Sequence, residues 1–167
     1  MNFNSEANLT MELNNSAVSL ISVGKYEEAV AALGKALHSS KKVMADGNYT
    51  NDEPLQMAWC LDQYMAQSPN INDVSDTNDD SDKTVYIYRR AICIPQDTSC
   101  CYETAVLSSM KIIFNLALAY QLAAGDSDKR SSYLRKAASL YELAYNLHNE
   151  ENFEPATFCM ALSFIHI

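Results

Sequence analysis

The chain has 167 residues, 48% of them hydrophobic, and a formal net charge of −9. That length and apolar content suffice for one domain with a packed core, while the acidic balance argues against nucleic acid and anionic membranes as direct partners. Four Gly and four Pro are few, which favours long helices over a turn-rich β fold.

The opening residues "MNFNSEANLTMELNN" lack a basic start followed by an apolar run, so no secretory signal is read there. With no such signal, the five Cys are expected to be reduced thiols of an intracellular, cytoplasmic protein. Over 12–22, Leu13, Ala17, Leu20 and Ile21 recur at intervals of three and four, which predicts a helix. Gly24 breaks the run, as residues just past helix ends do. A second helix is expected from Tyr26 to about Ala45, with Tyr26, Ala29, Val30, Leu33, Ala36 and Leu37 on its apolar line. So short a link folds the two into an antiparallel hairpin over about 6–45.

An insertion over about 46–101 follows. Asp46-Gly47-Asn48 reads as a turn, and Pro54 suits the first turn of a short helix over 55–66 that buries Trp59. Residues 68–84 hold five Asp, one Lys and no aromatics, the composition of a disordered loop. "VYIYRRAICIP", 85–95, is β-branched and aromatic and reads as an extended strand. The chain offers no second strand to pair with it. It must therefore lie on helices or pair with another chain.

Helical spacing resumes near Tyr102, with Val106, Ile113, Leu116, Ala117 and Tyr120 on one face to Ala123. "IIFNLALAYQLAA", 112–124, is the longest apolar run. It is too short for a bilayer and is interrupted by Asn115 and Gln121. After the turn "AGDSDKR", a helix from Lys129 or Ser131 to Leu147 completes a second hairpin over about 102–148. A last helix begins near Pro155, within 154–167.

The two hairpins repeat each other. Leu13, Ser16, Ala17 and Leu20 correspond to Ile113, Leu116, Ala117 and Tyr120. Ala29-x3-Leu33-x2-Ala36 corresponds to Ala137-x3-Tyr141-x2-Ala144. At these residues the sequence resembles the tetratricopeptide repeat: "GKYEEAVAALGKAL" follows that family's turn and second helix, and "IIFNLALAY" with "KAASLYELAYNL" a second copy. The matches cover about half of the chain. It departs from the pattern in the interval from the first small residue to the second-helix Ala, 12 residues (Ala17 to Ala29) against 20 (Ala117 to Ala137). It also departs in a missing proline after each second helix and in the insertion between copies. The segment 154–167 supplies a half repeat, either a cap or a sign that the array continues, and its apolar residues offer an oligomer contact.

The resemblance implies an all-α, TPR-like short α-solenoid in one domain. It also implies a concave face built from the first helix of each pair. Asn14, Asn15, Val18 and Ser22 would come from the first copy, and Lys111, Phe114, Asn115, Leu118 and Gln121 from the second, with Asn15 and Asn115 at equivalent places. An Asn amide both donates to and accepts from a peptide backbone, although a helix cap or a solvated Asn is the plainer alternative. Lys111 is the only basic residue nearby, so the family's carboxylate clamp is not expected.

Catalytic and metal chemistry leave little trace. The Asp-rich loop has Ser81 where a calcium loop needs Gly, and Ile87 where it needs Glu. Cys93, Cys100 and Cys101 lack zinc-ligand spacing, and His38, His148 and His166 are scattered. No nucleophile-elbow, phosphate-loop or dinucleotide motif occurs. The expectation is a non-enzymatic scaffold or adaptor without cofactors, binding a protein or peptide on the concave face. The alternative is a self-associating or autoinhibited module in which 85–94 lies in its own groove or pairs with a copy. A small metal-binding protein is the third reading. Gly34 costs its helix about 1 kcal/mol relative to Ala, which raises the question of a close neighbour, such as the insertion, pressing there.

Overall fold

The computed structural model describes residues 3–46, 90–95, 102–125 and 128–151. They form four helices: α1 (Phe3–Ser22), α2 (Tyr26–Asp46), α3 (Tyr102–Ala123) and α4 (Arg130–Glu151). Residues 90–95 are non-helical and carry no ladder. The described fold is therefore all-helical. The expected helix over 55–66, the acidic loop 68–84, residues 85–89 and the half repeat 154–167 lie outside the described residues.

Helices α2 and α3 coincide with their predicted spans to within a residue. α1 begins nine residues earlier than the periodicity indicates. The reason is tertiary. The Ser39 hydroxyl of α2 donates to the Glu6 carboxylate at 2.7 Å and to its main-chain carbonyl at 3.3 Å, and Lys42 lies 4.0 Å from the same carboxylate. Polar contacts to the last turns of α2 hold the first turns of α1, so no apolar stripe announces them.

The α1–α2 turn is a left-handed helix stop. Gly24 has φ of 78°, the Lys25 N–H reaches the Leu20 carbonyl at 2.9 Å, and the Gly24 N–H reaches that of Ile21 at 3.1 Å. This pair of bonds satisfies carbonyls that a helix end leaves open, and only Gly adopts that φ without strain. The second turn is longer. Six residues separate α3 from α4, against three between α1 and α2, and α4 begins four residues earlier relative to its Ala137. Four residues are about one helical turn, so the extra length preserves the face on which Ala137 lies.

Each helix packs chiefly on its neighbour in the chain, α1 on α2, α2 on α3 and α3 on α4, with a lesser contact between α1 and α3. Ala17, Ala29, Ala36, Ala117, Ala137 and Ala144 are all buried at these seams, where a methyl side chain lets helix axes approach. Leu33, Met110, Ile112, Ile113, Phe114, Leu116 and Leu118 fill the core. Residues 112–119 are buried without a break, the pattern of a helix enclosed on all sides. By length and composition the stretch Ala105–Ala123 could cross a membrane, but 61% of it is buried inside the fold, as befits the central helix of a core.

A Cβ built at Gly34 meets nothing within 4 Å among the described residues, so none of them accounts for this glycine.

Candidate functional site

Three asparagines meet where α1 and α3 face residues 90–95. Asn14 and Asn115 are fully buried, and Asn15 is half-buried. A buried amide left unpaired would cost about 1–3 kcal/mol, so their partners decide whether the arrangement is stable.

The partners are the main chain of the segment and one another. The Ile92 N–H donates to Asn115 Oδ1 at 2.7 Å, and Asn115 Nδ2 donates back to the Ile92 carbonyl at 2.8 Å. The same carbonyl accepts from Asn14 Nδ2 at 3.1 Å. Two residues on, the Ile94 N–H donates to Asn15 Oδ1 and Asn15 Nδ2 donates to the Ile94 carbonyl, both at 2.9 Å. Asn115 Nδ2 also donates to Asn14 Oδ1 at 2.9 Å, and Asn14 Nδ2 to Asn15 Oδ1 at 3.2 Å, which ties the three amides into one network.

Side chains alternate along the segment in step with these bonds. Ile94 is buried in the common core, Ile92 is half-buried against it, and Cys93 between them is exposed. The main chain is thus bonded at Ile92 and Ile94, and Ile94 is the anchor.

Arg90 and Ala91 lie further toward the C-terminal ends of α1 and α3. There they border a cleft of about 370 Å³ whose other walls include Val18, Ile21, Tyr26 and Leu122, with Ser22 at its edge. The segment accordingly runs from the last turns of α1 and α3 back toward their middles.

The residues expected on the concave face divide into groups. Asn14, Asn15 and Asn115 converge on the segment, while Val18 and Ser22 line the neighbouring cleft. Ser22 is exposed, and its hydroxyl donates to the Ser19 carbonyl at 2.7 Å. Leu118 is wholly buried in the core. Phe114 and Gln121 engage α4: the Phe114 ring stacks at a tilt on Tyr141, centroids 5.7 Å apart, and the Tyr141 hydroxyl donates to Gln121 Oε1 at 2.8 Å. Burial pushes the Tyr141 phenol well above its ordinary value. Lys111, one turn before Asn115, is half-buried, and burial lowers its ammonium below the usual lysine range.

Periodicity alone assigns Ile21 and Tyr26 to the apolar faces of helices, and Leu122 falls within the apolar run 112–124, with no sign that they wall a cleft. The equivalent places of Asn15 and Asn115 in the repeat were the legible signal for the network. The contact of Asn14 with Asn115, 101 residues away in sequence, had none.

Compared with known proteins, the chain matches no family model, no curated protein and no solved structure.

Proposed function

We propose that this chain is a non-enzymatic interaction module of TPR-like helical hairpins, an intracellular scaffold or adaptor whose α1–α3 face reads the backbone of an extended peptide. One observation carries the reading. Three asparagines supply donors and acceptors to both the N–H and the C=O of alternate residues, Ile92 and Ile94, which is the chemistry of backbone recognition without a strand partner. Main-chain bonds of this kind accept many sequences, and the alternating side chains then set preference.

The same observation favours an autoinhibited form of the module. The occupant of the face belongs to the chain itself, tethered to α3 through only the six residues 96–101. A tether that short holds its segment at an effective concentration on the order of millimolar, so a partner must outcompete it. Exchange of this segment between two copies is the self-associating version of the same device.

The test is titration of the full chain with a fluorescent peptide of sequence 89–96. Saturable binding is expected in an Ile92→Pro form of the chain, whose own segment has lost the N–H that Asn115 accepts and so competes less, and adding Asn115→Ala to that form should weaken it at least about tenfold. Binding unchanged by both Asn115→Ala and Asn15→Ala would defeat the reading. Light scattering of the same samples separates a monomer from a segment-exchanged dimer.

A further inference from the structure

The cleft beside Ala91 is larger than the side chain that borders it. Val18, Ile21, Leu122 and Tyr26 give it apolar walls, Ser22 and Arg90 also line it, and Ala91, Ile92 and Ile94 of the segment all pack on the same core. Ala91 brings a single methyl group to that wall and is half-buried there. The chain's own segment therefore engages the face fully through its main chain and through Ile94, and poorly at the Ala91 position.

We infer that the partner of this face is an extended protein segment with a large apolar side chain, Leu, Met or Phe, at the place of Ala91. Its next residue and the one two further on from that must keep free N–H groups. This rests on the peptide-binding reading and names the ligand class for the same site. The pattern is large apolar, then a residue bonded through its main chain, then any residue, then a buried aliphatic residue bonded the same way. The unrestricted position follows from the exposure of Cys93 and the aliphatic anchor from the burial of Ile94. Proline is excluded at the Ile92 and Ile94 places, because both N–H groups are donated to asparagine. It is accepted after the anchor, where Pro95 stands exposed.

The energetic logic is competition. The tethered segment has the advantage of effective concentration, and a free partner lacks it. Filling the cleft gives the partner apolar burial that Ala91 cannot supply. The native segment then acts as a placeholder that excludes weak ligands and yields to ones carrying the extra side chain.

The experiment uses the full chain and three labelled peptides of sequence 89–96: the native sequence, its Ala91→Leu form, and the native sequence N-methylated at Ile92. Anisotropy is read for the wild-type chain and for an Ile92→Pro chain, whose own segment has lost the N–H that Asn115 accepts. The Ala91→Leu peptide should bind at least about tenfold more tightly than the native peptide, and the N-methylated peptide should not bind. Native-peptide binding with no gain from Ala91→Leu overturns this inference and leaves the peptide-binding reading standing. No binding by any peptide to either chain overturns both. A second arm does not depend on peptides or on the proline variant: Ala91→Leu within the full chain should raise its melting temperature, because the tethered segment now fills the cleft. An unchanged or lower melting temperature overturns the inference.

Discussion

The α2–α3 seam and the α1–α3 face are both buried, but different forces hold them. Among the described residues, Leu33 and Ala36 of α2 and Ile113 and Ala117 of α3 are fully buried and have no polar side-chain atom to satisfy, and polar contact between the two helices comes from Ser109, whose hydroxyl lies 2.6 Å from that of Ser40 and 3.8 Å from the Met44 sulfur. At the face, Asn14, Asn15 and Asn115 are paired with the main chain of 90–95 and with one another. Apolar burial is non-directional and proportional to area, so the seam is permanent and sensitive to volume. A hydrogen-bonded face is directional, and water can replace any partner that leaves, so its net hold is weaker. Permanence suits a scaffold, and exchange suits a binding surface. The proposed module needs both, and α3 takes part in each region.

The largest effect should come from the seam. Leu33→Ala removes a fully buried side chain and should cost about 2–5 kcal/mol, read as a shift in the urea midpoint at constant slope. A loss under about 1 kcal/mol would mean the seam is loosely packed. Leu118→Asp belongs in the same class, because Leu118 lies wholly in the core and its replacement reports on folding more than on binding.

The face should respond less in stability and more locally. Asn115→Ala leaves the Ile92 N–H without its acceptor and should cost about 1–3 kcal/mol. Hydrogen exchange should quicken at Ile92 and Ile94 while the α2–α3 seam stays protected. Uniform loss of protection would show that face and seam are one cooperative unit.

Gly34 probes a helix surface outside both regions. Gly34→Ala should stabilise by about 1 kcal/mol, since helix propensity rises and the new methyl meets nothing within 4 Å among the described residues. Lack of any gain in the urea midpoint would mean the site is crowded after all.

The smallest effect is a pH dependence. Burial lowers the Lys111 pKa below that of the unfolded chain, so the charged folded form carries a penalty at neutral pH. Between the lowered pKa and about 10.5 the unfolded state binds more protons, and stability should rise with pH across that window. Lys111→Met should raise the melting temperature at pH 7, by an amount that shrinks as pH approaches 10. Above pH 10 the raised Tyr141 phenol acts in the opposite sense, because the unfolded chain loses that proton first. Equal gains at pH 7 and pH 9.5 would show that Lys111 acts through packing alone.

Much of the helical framework was legible in the sequence because its signals are local. Apolar residues at intervals of three and four mark α2 and α3, and Gly24 marks the first turn through a backbone conformation that other residues resist. The alanines of the repeat marked close helix approach, and all of them are buried. The beginning of α1 was not legible, since contacts from Ser39 and Lys42 replace an apolar stripe there. Nor was the direction of Phe114 and Gln121, which Tyr141 of α4 draws to itself.

By itself, then, the sequence determined where α2 and α3 lie, which face of α2 is apolar, and that asparagines recur at matching places in two hairpins. Only the tertiary structure decided what those asparagines hold. The Ile92 and Ile94 main chain is brought to them across 23 to 79 residues of sequence. Each bond depends on angles and distances that no short window of residues encodes. The cleft beside Ala91 has the same origin, for its walls come from α1, the first residue of α2, α3, and the segment that lies across them.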